Sequence, residues 1–324
     1  MSKAIRMTRT GGPEVREYVD VDVPPPGPGE ARVRQAACGL NFIDVYFRTG
    51  LYPQPLPAGL GQEGAGVVEA VGAGVQTVRP GDRVAYAGRP NGAYAQVRNV
   101  PAAILLRLPE AIDFDTAAAM LLQGLTAEYL LHRTYAVQPG DTILFHAAAG
   151  GVGLIACQWA KRLGATVIGT VSTDAKAELA RAHGCDHPIV TTRENLAERV
   201  AQITGGRKLP VVYDSIGKDT IAASHDSLRP FGLMVCFGNA SGPVPPVDTQ
   251  VLAAKGSLFL TRPTLGTFTA DRALLDTMAA NLFAVVADGG VRINIGQRYP
   301  LAEVARAHRD LEARATTGCT VLKP

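Results

Sequence analysis

The stretch TILFHAAAGGVGLIACQWAKRL, which runs from Thr142 to Leu163, decides the fold. It opens with a short apolar run that predicts a buried strand, and Val152 to Leu163 has the periodicity of an amphipathic helix. Between them the sequence fits the pattern G-x-G-x-x-G, with Ala148 in the first position followed by Gly150 and Gly153. A strand, a glycine-rich turn and a helix in this order predict a dinucleotide-binding loop, and the alternative is a purely structural turn.

The glycines of this predicted loop have separate physical roles. Gly150 lets the backbone approach a pyrophosphate, and Gly153 lets the helix pack closely on the sheet. The helix N-terminus presents free N–H groups and a positive dipole to phosphate. The residues predicted to contact a dinucleotide here are Ala149, Gly150, Gly151, Val152 and Gly153.

Strands and helices alternate around the loop. The sequence predicts a strand at Thr166 to Val171, a helix at Ala175 to His183, and buried strands at Val211 to Ser215 and Leu233 to Gly238. This order is typical of a parallel sheet with crossover helices. We therefore expect an α/β, doubly wound Rossmann domain over residues 123–265.

The two ends of the chain have a different texture. Residues 1–122 are rich in Gly, Pro and Val, with short strand-like runs, and predict a β-rich, barrel-like domain. The tail, residues 266–324, contains helical patterns at Leu274 to Asp288 and Ala302 to Ala313 and a final strand at Gly318 to Lys323. A lone strand must pair with something, so we expect it to join the N-terminal β-rich part.

Composition limits the class of protein. The chain of 324 residues is 47% hydrophobic and 19% charged, has no apolar run long enough to span a bilayer, and begins without a secretion signal. Its net charge of +3 comes without a basic block, which argues against a nucleic-acid partner. The five scattered cysteines form no C-x-x-C motif, so we expect free thiols in a soluble, cytoplasmic protein.

The end of the second strand indicates which dinucleotide binds. NAD-preferring sites usually place an acidic residue there, whereas this chain has Ser172 and Thr173, with Lys176 in the next helix. Two hydroxyls and a cation suit the 2′-phosphate of NADPH. Asp174 belongs to the first helical turn, where a negative charge is favourable, but it could also compete for Lys176.

Several long runs match a known family. They are Gly11-Gly-Pro-Glu-Val15, Leu40-Asn-Phe-Ile-Asp-Val-Tyr-Phe-Arg-Thr-Gly-Leu-Tyr-Pro53, Gln123-Gly-Leu-Thr-Ala127, Phe145-His-Ala-Ala-Ala-Gly-Gly-Val-Gly-Leu-Ile-Ala156, Thr261-Arg-Pro263 and Arg314-Ala-Thr-Thr-Gly318. With these runs the sequence resembles, over essentially its whole length, the zinc-independent quinone oxidoreductases of the medium-chain dehydrogenase/reductase superfamily. That family includes bacterial NADPH:quinone reductases and zeta-crystallin.

The resemblance implies an architecture and an activity. Residues 1–122, completed by 266–324, would form a GroES-like catalytic domain beside the Rossmann domain. Two chains would form a homodimer through the last Rossmann strand, near Ser257 to Arg262. Family members reduce quinones with NADPH, and many also accept small conjugated carbonyls.

The resemblance also implies roles for individual residues. Asn41 and Tyr46 match residues that line the nicotinamide pocket, and Thr126 matches one near the nicotinamide ribose. Lys176 matches a lysine on the 2′-phosphate. The remaining matches to cofactor contacts are Phe237, Asn239, Arg262 and Arg314.

Two positions depart from the family pattern near the 2′-phosphate. The family often has glycine where this chain has Ser172, and tyrosine where it has Thr191. Arg193, two residues further on, is a candidate substitute for the tyrosine. These departures concern selectivity for NADPH and leave dinucleotide binding itself as expected.

A metal site is not expected. Metal-using relatives carry cysteine at the position of Asn41 and histidine at that of Gln62, and a neutral amide is a poor zinc ligand. Glu63 alone remains as a possible ligand, and the four-cysteine structural zinc lobe is missing. The cluster His183-Gly-Cys-Asp-His187 is better explained as a turn after a helix.

The candidate catalytic residues are four polar side chains near the N-terminus. Asn41, Tyr46, Tyr52 and Gln62 would orient a conjugated carbonyl, whose own conjugation spreads the developing negative charge. Tyr52 is equally compatible with a packing role. Gln62 is expected to form a hydrogen bond within the pocket floor, to a substrate oxygen or a water.

Three hypotheses for function remain open. The first is reduction of a quinone by NADPH, by hydride or by single electrons, without metal or flavin. The second is NADPH-dependent reduction of the activated C=C bond of an enone or enal. The third is a non-catalytic NADPH-binding protein.

Overall fold

The computed structural model describes all 324 residues, and the chain folds into two compact units. Unit 1 consists of Met1–Leu125, Thr269–Ala287 and Ile293–Pro324. Unit 2 consists of Thr126–Phe268 and Asp288–Arg292. The units change after Leu125 and after Phe268, each three residues beyond the boundaries expected at 122 and 265.

The short segment Asp288–Arg292 joins unit 2, although no sequence signal marks it. Its polar contacts explain the assignment. Arg162 donates to the Asp288 carboxylate at 2.6 Å, and the Arg292 backbone N–H donates to the Gln158 side chain at 3.0 Å. Both partners lie on one helix of unit 2, so the segment is tied to that helix.

Unit 1 is mainly β-structure. Its strands are β1 (Ser2–Met7), β2 (Arg16–Val21), β3 (Glu30–Leu40), β4 (Ala58–Gly59), β5 (Glu63–Val71), β6 (Arg83–Ala87), β7 (Val97–Pro101), β8 (Leu106–Arg107), β15 (Ile295–Pro300) and β16 (Cys319–Lys323). Its helices are α1 (Phe42–Thr49), α2 (Phe114–Tyr129, whose last four residues belong to unit 2), α9 (Arg272–Ala287) and α10 (Val304–Glu312). Short 3-10 turns occur at Pro13–Val15, Ala102–Ile104 and Leu301–Glu303.

Two sheets organise unit 1. A three-stranded sheet has the order β2-β1-β4, and a seven-stranded sheet has the order β15-β16-β3-β5-β6-β8, with β7 also paired to β3. The final strand β16 runs antiparallel to β3, with Val321 opposite Gly39, so the tail completes the N-terminal sheet as the sequence predicts. Alternate residues of β3, such as Ala31 and Val33, are buried because one face of the sheet packs on the core.

Unit 2 is a parallel sheet with helices in the connections. Its strands are β9 (Thr142–Phe145), β10 (Thr166–Val171), β11 (His187–Val190), β12 (Leu209–Asp214), β13 (Leu228–Cys236) and β14 (Phe259–Thr261). Its helices are α3 (Gly151–Arg162), α4 (Asp174–Arg181), α5 (Leu196–Thr204), α6 (Ile221–Ser227), α7 (Thr249–Ala254) and α8 (Leu265–Phe268), preceded by a π-helical turn at Leu130–Thr134.

The strand order of unit 2 places its ligand site. The six strands lie in the order β11-β10-β9-β12-β13-β14, and every pairing is parallel. The direction of winding reverses between β9 and β12, and such a switch point leaves a crevice at the carboxyl ends of the strands. The loop that follows β9 therefore lies where a doubly wound sheet binds ligands.

No helix of the chain combines the length and apolar character needed to cross a bilayer.

Candidate active site

The predicted phosphate loop joins β9 to α3. Gly150 occupies the N-cap position of α3, so the first N–H groups of that helix lie in the loop. A side chain at Gly153 would place its Cβ only 2.3 Å from the Ala147 carbonyl oxygen, so only glycine fits there. The left-handed residue of the turn is Ala147, with φ of 53°, one position before the alanine that occupies the first glycine position of the motif.

The other residues expected to contact the cofactor in unit 2 line the carboxyl edge of the same sheet. Ser172 follows β10, Thr191 follows β11, Phe237 and Asn239 follow β13, and Arg262 follows β14. Arg262 donates to the Cys236 carbonyl at 3.1 Å, and the Asn239 amide in its satisfied orientation accepts from Arg262 at 3.3 Å. Because parallel strands end at one edge, residues far apart in sequence lie at the same edge of the sheet.

The region expected to bind the 2′-phosphate is held by polar contacts. Thr173 caps α4 by accepting from the Lys176 backbone N–H at 3.3 Å, which places Lys176 in the first helical turn. Arg193 donates twice to Asp174, at 2.7 and 2.5 Å, and these hydrogen bonds lower the pKa of Asp174. The carboxylate that the sequence left as a competitor for Lys176 is thus engaged by Arg193.

Asn41 is positioned in unit 1 by the start of α1. The Asp44 carboxylate accepts from the Asn41 backbone N–H at 2.9 Å and from the Tyr94 hydroxyl at 2.7 Å. Burial raises the pKa of Asp44 to about 7, against these two hydrogen bonds. The cap fixes the backbone of Asn41, and its side chain is left to make other contacts.

The Asn41 amide is held on both sides by what we call the amide cluster, Asn41, Glu63 and Gln123. Asn41 Nδ2 donates to Glu63 Oε2 at 2.7 Å, and Asn41 Oδ1 accepts from Gln123 Nε2 at 3.0 Å. Gln123 Oε1 in turn accepts from the Cys319 thiol at 2.9 Å. These contacts determine which end of the amide is N and which is O, and they leave one N–H of Asn41 for another acceptor.

Glu63 is fully buried at the start of β5, with 1% of its surface exposed. Its second oxygen accepts from the Leu122 backbone N–H at 2.8 Å. Burial raises the pKa of Glu63 to about 8, although both hydrogen bonds favour the charged form. Gly39 makes room for the carboxyl group, since a Cβ there would lie 2.1 Å from Glu63 Oε2.

Gln62 is buried and belongs to a second chain of amides. Its Nε2 donates to Asn91 Oδ1 at 2.7 Å, and Asn91 donates to Gln54 Oε1 at 2.6 Å. One amide proton of Gln62 is therefore bonded to a protein amide, and not to a substrate oxygen or a water. The Gln62 side-chain oxygen, Oε1, and the second amide proton are the groups that a ligand could use.

Tyr46 and Tyr52 form an aromatic pair. Their ring centroids are 5.2 Å apart in an edge-on arrangement, and Tyr52 also meets Phe47 edge-on at 5.7 Å. Tyr46 is buried, and Tyr52 packs against the core of unit 1. The packing role considered for Tyr52 is thus observed for its ring.

Two expected cofactor contacts lie elsewhere in the fold. Thr126 is buried within α2, at the start of unit 2. Arg314 belongs to unit 1, in the loop before β16, and adopts a left-handed conformation with φ of 58°.

No group of three or more His, Cys, Asp or Glu side chains is arranged to hold a metal ion. The turn after α4 illustrates this. His183 contacts the Leu179 carbonyl at 2.8 Å, Asp186 pairs with Lys161 at 2.5 Å, and Cys185 is buried. Their side chains are engaged separately.

Sequence reasoning missed the roles of Glu63 and Gln123. Glu63 was considered only as a metal ligand, and Gln123 only as part of a matching run. Their contacts with Asn41 span 22 and 82 positions of sequence. The available signal was a charged residue inside a glycine and valine run, which predicts a buried carboxyl in need of partners.

The fold combines a GroES-like β-unit, which holds a buried amide cluster, with a Rossmann unit, which holds a predicted phosphate loop. This combination defines a nucleotide-dependent oxidoreductase of the medium-chain type. Comparison with protein families agrees with this class. Residues 27–110 match the alcohol dehydrogenase GroES-like domain, and residues 151–281 match the zinc-binding dehydrogenase domain.

Individual relatives define the family more closely. The chain is 56% identical over 325 residues to a quinone oxidoreductase of Pseudomonas aeruginosa, with complete coverage of both chains. The crystal structure of Escherichia coli quinone oxidoreductase complexed with NADPH is 49% identical, with a TM-score of 0.98 over 99% of this chain and 100% of that one. A 2-haloacrylate reductase of Burkholderia is 45% identical over 332 residues, covering 100% of this chain and 99% of its own. The chain belongs to the quinone oxidoreductase family of the medium-chain dehydrogenase/reductase superfamily.

Proposed function

We propose that this protein reduces quinones with NADPH and uses neither a resident metal nor a flavin. The observation that carries the proposal is the state of Asn41. Where metal-using relatives have a zinc ligand, this chain has an amide that Glu63 and Gln123 hold at 2.7 and 3.0 Å. Such a group donates a hydrogen bond but is a poor metal ligand.

The residues of unit 2 fit NADPH. Close backbone approach at Gly150 and Gly153 and the free helix N–H groups suit a pyrophosphate. The Ser172 and Thr173 hydroxyls after β10 and the Lys176 ammonium in the first turn of α4 suit a 2′-phosphate. When bound, NADPH would supply the reducing electrons. The NADPH complex of the E. coli relative supports this assignment.

The residues of unit 1 would act on the substrate. The remaining N–H of Asn41 would donate to a substrate oxygen, where negative charge develops during reduction. Its orientation needs no rearrangement, because the amide cluster fixes it before substrate arrives. Tyr46, Tyr52 and Gln62 would complete the polar and aromatic surroundings, and a hydroquinone oxygen can take its proton from water.

Reduction of an activated C=C bond is the second candidate function. It is favoured by the similarity to 2-haloacrylate reductase, whose name describes an unsaturated acid, at 45% identity and a TM-score of 0.88. The same amide donor would serve an enone oxygen. A purely non-catalytic role is least favoured, because the oriented donor at Asn41 has no purpose in it.

We also propose that the protein is a cytoplasmic homodimer. The edge strand β14 exposes 60% of Phe259 and 38% of Leu260, which is unusual for large apolar side chains at a sheet edge and supports pairing with a second copy. All five cysteines are free and buried, as suits a reducing compartment.

A panel of substrates tests the proposed function. Purified protein would be assayed with 1,4-benzoquinone, a naphthoquinone and several small enones, each with NADPH and NADH. We expect the fastest turnover with NADPH and a quinone. Rapid turnover of enones without turnover of any quinone would instead establish the second function.

A further inference from the structure

A buried histidine lies beneath the phosphate loop, and none of the proposed contacts uses it. His146 directly follows β9 and has no exposed surface. Phe145, the last residue of β9, is in register with Gly169 of β10 and Tyr213 of β12. His146 therefore stands between the residues that follow those two, Thr170 and Asp214, at the carboxyl edge of the sheet.

Hydrogen bonds connect His146 directly to Thr170, and to Asp214 through Ser224. His146 Nδ1 lies 3.0 Å from Thr170 Oγ1, and His146 Nε2 lies 2.9 Å from Ser224 Oγ. Ser224 Oγ lies 3.2 Å from Asp214 Oδ2. All four side chains are buried, so the chain of contacts is shielded from water.

The Asp214 carboxylate is the fixed end of this chain. Its Oδ1 accepts from the backbone N–H groups of Ile216 and Gly217, at 2.7 and 3.0 Å. Its Oδ2 accepts from the Thr220 hydroxyl at 2.7 Å as well as from Ser224. A carboxylate only accepts hydrogen bonds, so the single proton of the Ser224 hydroxyl must point toward Asp214.

This fixed end determines the direction of every other bond. Because the Ser224 hydroxyl donates to Asp214, its oxygen must accept from His146. The His146 ring therefore carries its proton on Nε2. Burial lowers the pKa of His146, with the nearby Asp214 acting in the opposite direction, so the ring is neutral and Nδ1 is an acceptor. Nδ1 then accepts the Thr170 proton, and the Thr170 oxygen remains available as an acceptor.

The Thr170 oxygen faces the phosphate loop. It accepts from the Ala147 backbone N–H at 3.3 Å, and the Thr170 carbonyl accepts from the Ala148 N–H at 3.0 Å. Ala147 is left-handed, with φ of 53°, a conformation that is unfavourable for a residue with a side chain. Its carbonyl accepts from Gly150 at 2.9 Å, so the conformation of Ala147 sets the loop that follows.

We propose that His146, oriented by Asp214 through Ser224, is a positioning residue for cofactor binding. It fixes the Thr170 hydroxyl as an acceptor, and that hydroxyl holds Ala147 in the conformation that shapes the phosphate loop. The proposal rests on the proposed binding of NADPH at this loop. It assigns a shared task to four buried polar residues that are not among the proposed cofactor contacts.

A pair of threonine substitutions tests the proposal. Thr204 is a matched control, since it is 5% exposed, against 4% for Thr170. Its hydroxyl likewise accepts from the backbone N–H of a left-handed residue, Lys208, with a distance of 3.1 Å and φ of 59°. Thr170→Val and Thr204→Val therefore remove the same kind of bond, but only the first contacts the phosphate loop.

We expect Thr170→Val to raise the Kd for NADPH about tenfold, as expected when a buried N–H loses its acceptor, and Thr204→Val to leave it unchanged. Melting temperatures would show whether both variants fold and lose similar stability. Equal Kd values for the two folded variants would overturn the proposal. A wild-type protein that binds no NADPH would instead overturn the proposed function on which the inference rests.

The tautomer of His146 gives a second, independent measurement. Nitrogen-15 NMR of histidine-labelled protein, with the resonance assigned by its loss in His146→Gln, should show a neutral ring protonated at Nε2. In Ser224→Ala the ring loses the acceptor that fixes this tautomer, so we expect a mixed population and a Kd for NADPH raised about threefold. A ring protonated at Nδ1 in the wild type would contradict the inferred direction of the chain.

Discussion

Glu63 is a carboxyl group whose surroundings pull its charge in two directions. Hydrogen bonds from Asn41 and Leu122 favour the charged form, whereas complete burial favours the neutral form and raises the pKa to about 8. In the unfolded chain the same group would titrate near 4.5. The residue that orients Asn41 should therefore make the stability of the fold depend on pH.

We predict that Glu63 lowers the free energy of unfolding as pH rises from about 5 to 8. In this window the native state keeps a proton that the unfolded state has released, so raising the pH favours unfolding by at most about 1.4 kcal/mol per pH unit. Relative to wild type, Glu63→Gln should gain stability across the window, because it lacks the titrating group. Urea unfolding of both proteins at pH 5.5 and 7.5 measures the difference.

Glu69→Gln is the control for this experiment. Glu69 lies on the same strand but is exposed, with its carboxylate paired to Arg34 at 2.5 Å. The free energy of unfolding of Glu69→Gln should change with pH by the same amount as that of wild type. Parallel curves for Glu63→Gln as well would show that burial does not retain the proton on Glu63.

Lys176 carries the predicted choice of cofactor. It lies half-buried in the first turn of α4, where its backbone N–H donates to the Thr173 hydroxyl at 3.3 Å. We predict that Lys176→Ala raises the Kd for NADPH about tenfold or more and leaves that for NADH nearly unchanged, because only NADPH carries the 2′-phosphate. Lys161→Ala is the control. It removes an exposed lysine of α3 that pairs with Asp186. Equal weakening of both cofactors by Lys176→Ala would remove the assignment.

Side chains that act locally could be predicted from the sequence, whereas those that act through distant partners could not. Asn41 and Gln62 were identified because they stand where relatives have metal ligands. The pairing of Asn41 with Gln123 depends on where α2 passes the end of β3, which no local pattern specifies. The same holds for the link from His146 to Asp214, which the strand register creates.

At the scale of elements, long periodic segments were predicted well and short ones were not. The strand at Thr166–Val171 and the helices over residues 151–162 and 272–287 follow from uninterrupted apolar patterns. The two-residue strands β4 and β8 and the π-helical turn at Leu130–Thr134 carry no such pattern. Their existence depends on tertiary partners, such as the pairing of Ala58 with Met7.

The exposed edge strand β14 leads to a prediction about assembly. Phe259→Asp combined with Leu260→Asp would place two charges on the proposed pairing edge, so we expect a dimer to become a monomer. Sedimentation velocity at micromolar concentration measures the change. Tyr18→Asp alters an aromatic residue of similar exposure, 38%, on β2 of unit 1, and should leave the dimer intact. A double variant that remains dimeric would place the interface elsewhere.

At the scale of the whole molecule, the proposed phosphate loop and the amide cluster belong to different units. Unit 2 contains the glycine-rich loop at the switch point of a parallel sheet, and unit 1 contains the amide cluster, whose Gln123 accepts from Cys319 of the C-terminal strand. The glycine loop and the change in residue composition are local signals, from which the sequence predicts a Rossmann domain and a β-rich domain. It could not predict the return of Asp288–Arg292 to unit 2, where Asp288 pairs with Arg162 across 126 positions of sequence.

We propose that the oriented Asn41 amide does the work of a metal in this reductase of conjugated carbonyls. The most direct measurement is NADPH oxidation with 1,4-benzoquinone by protein treated with a strong chelator, with its metal content determined on the same sample. We predict full activity at substoichiometric metal, and a large loss of kcat in Asn41→Ala. Activity that disappears with the metal and returns when zinc is added would contradict the account.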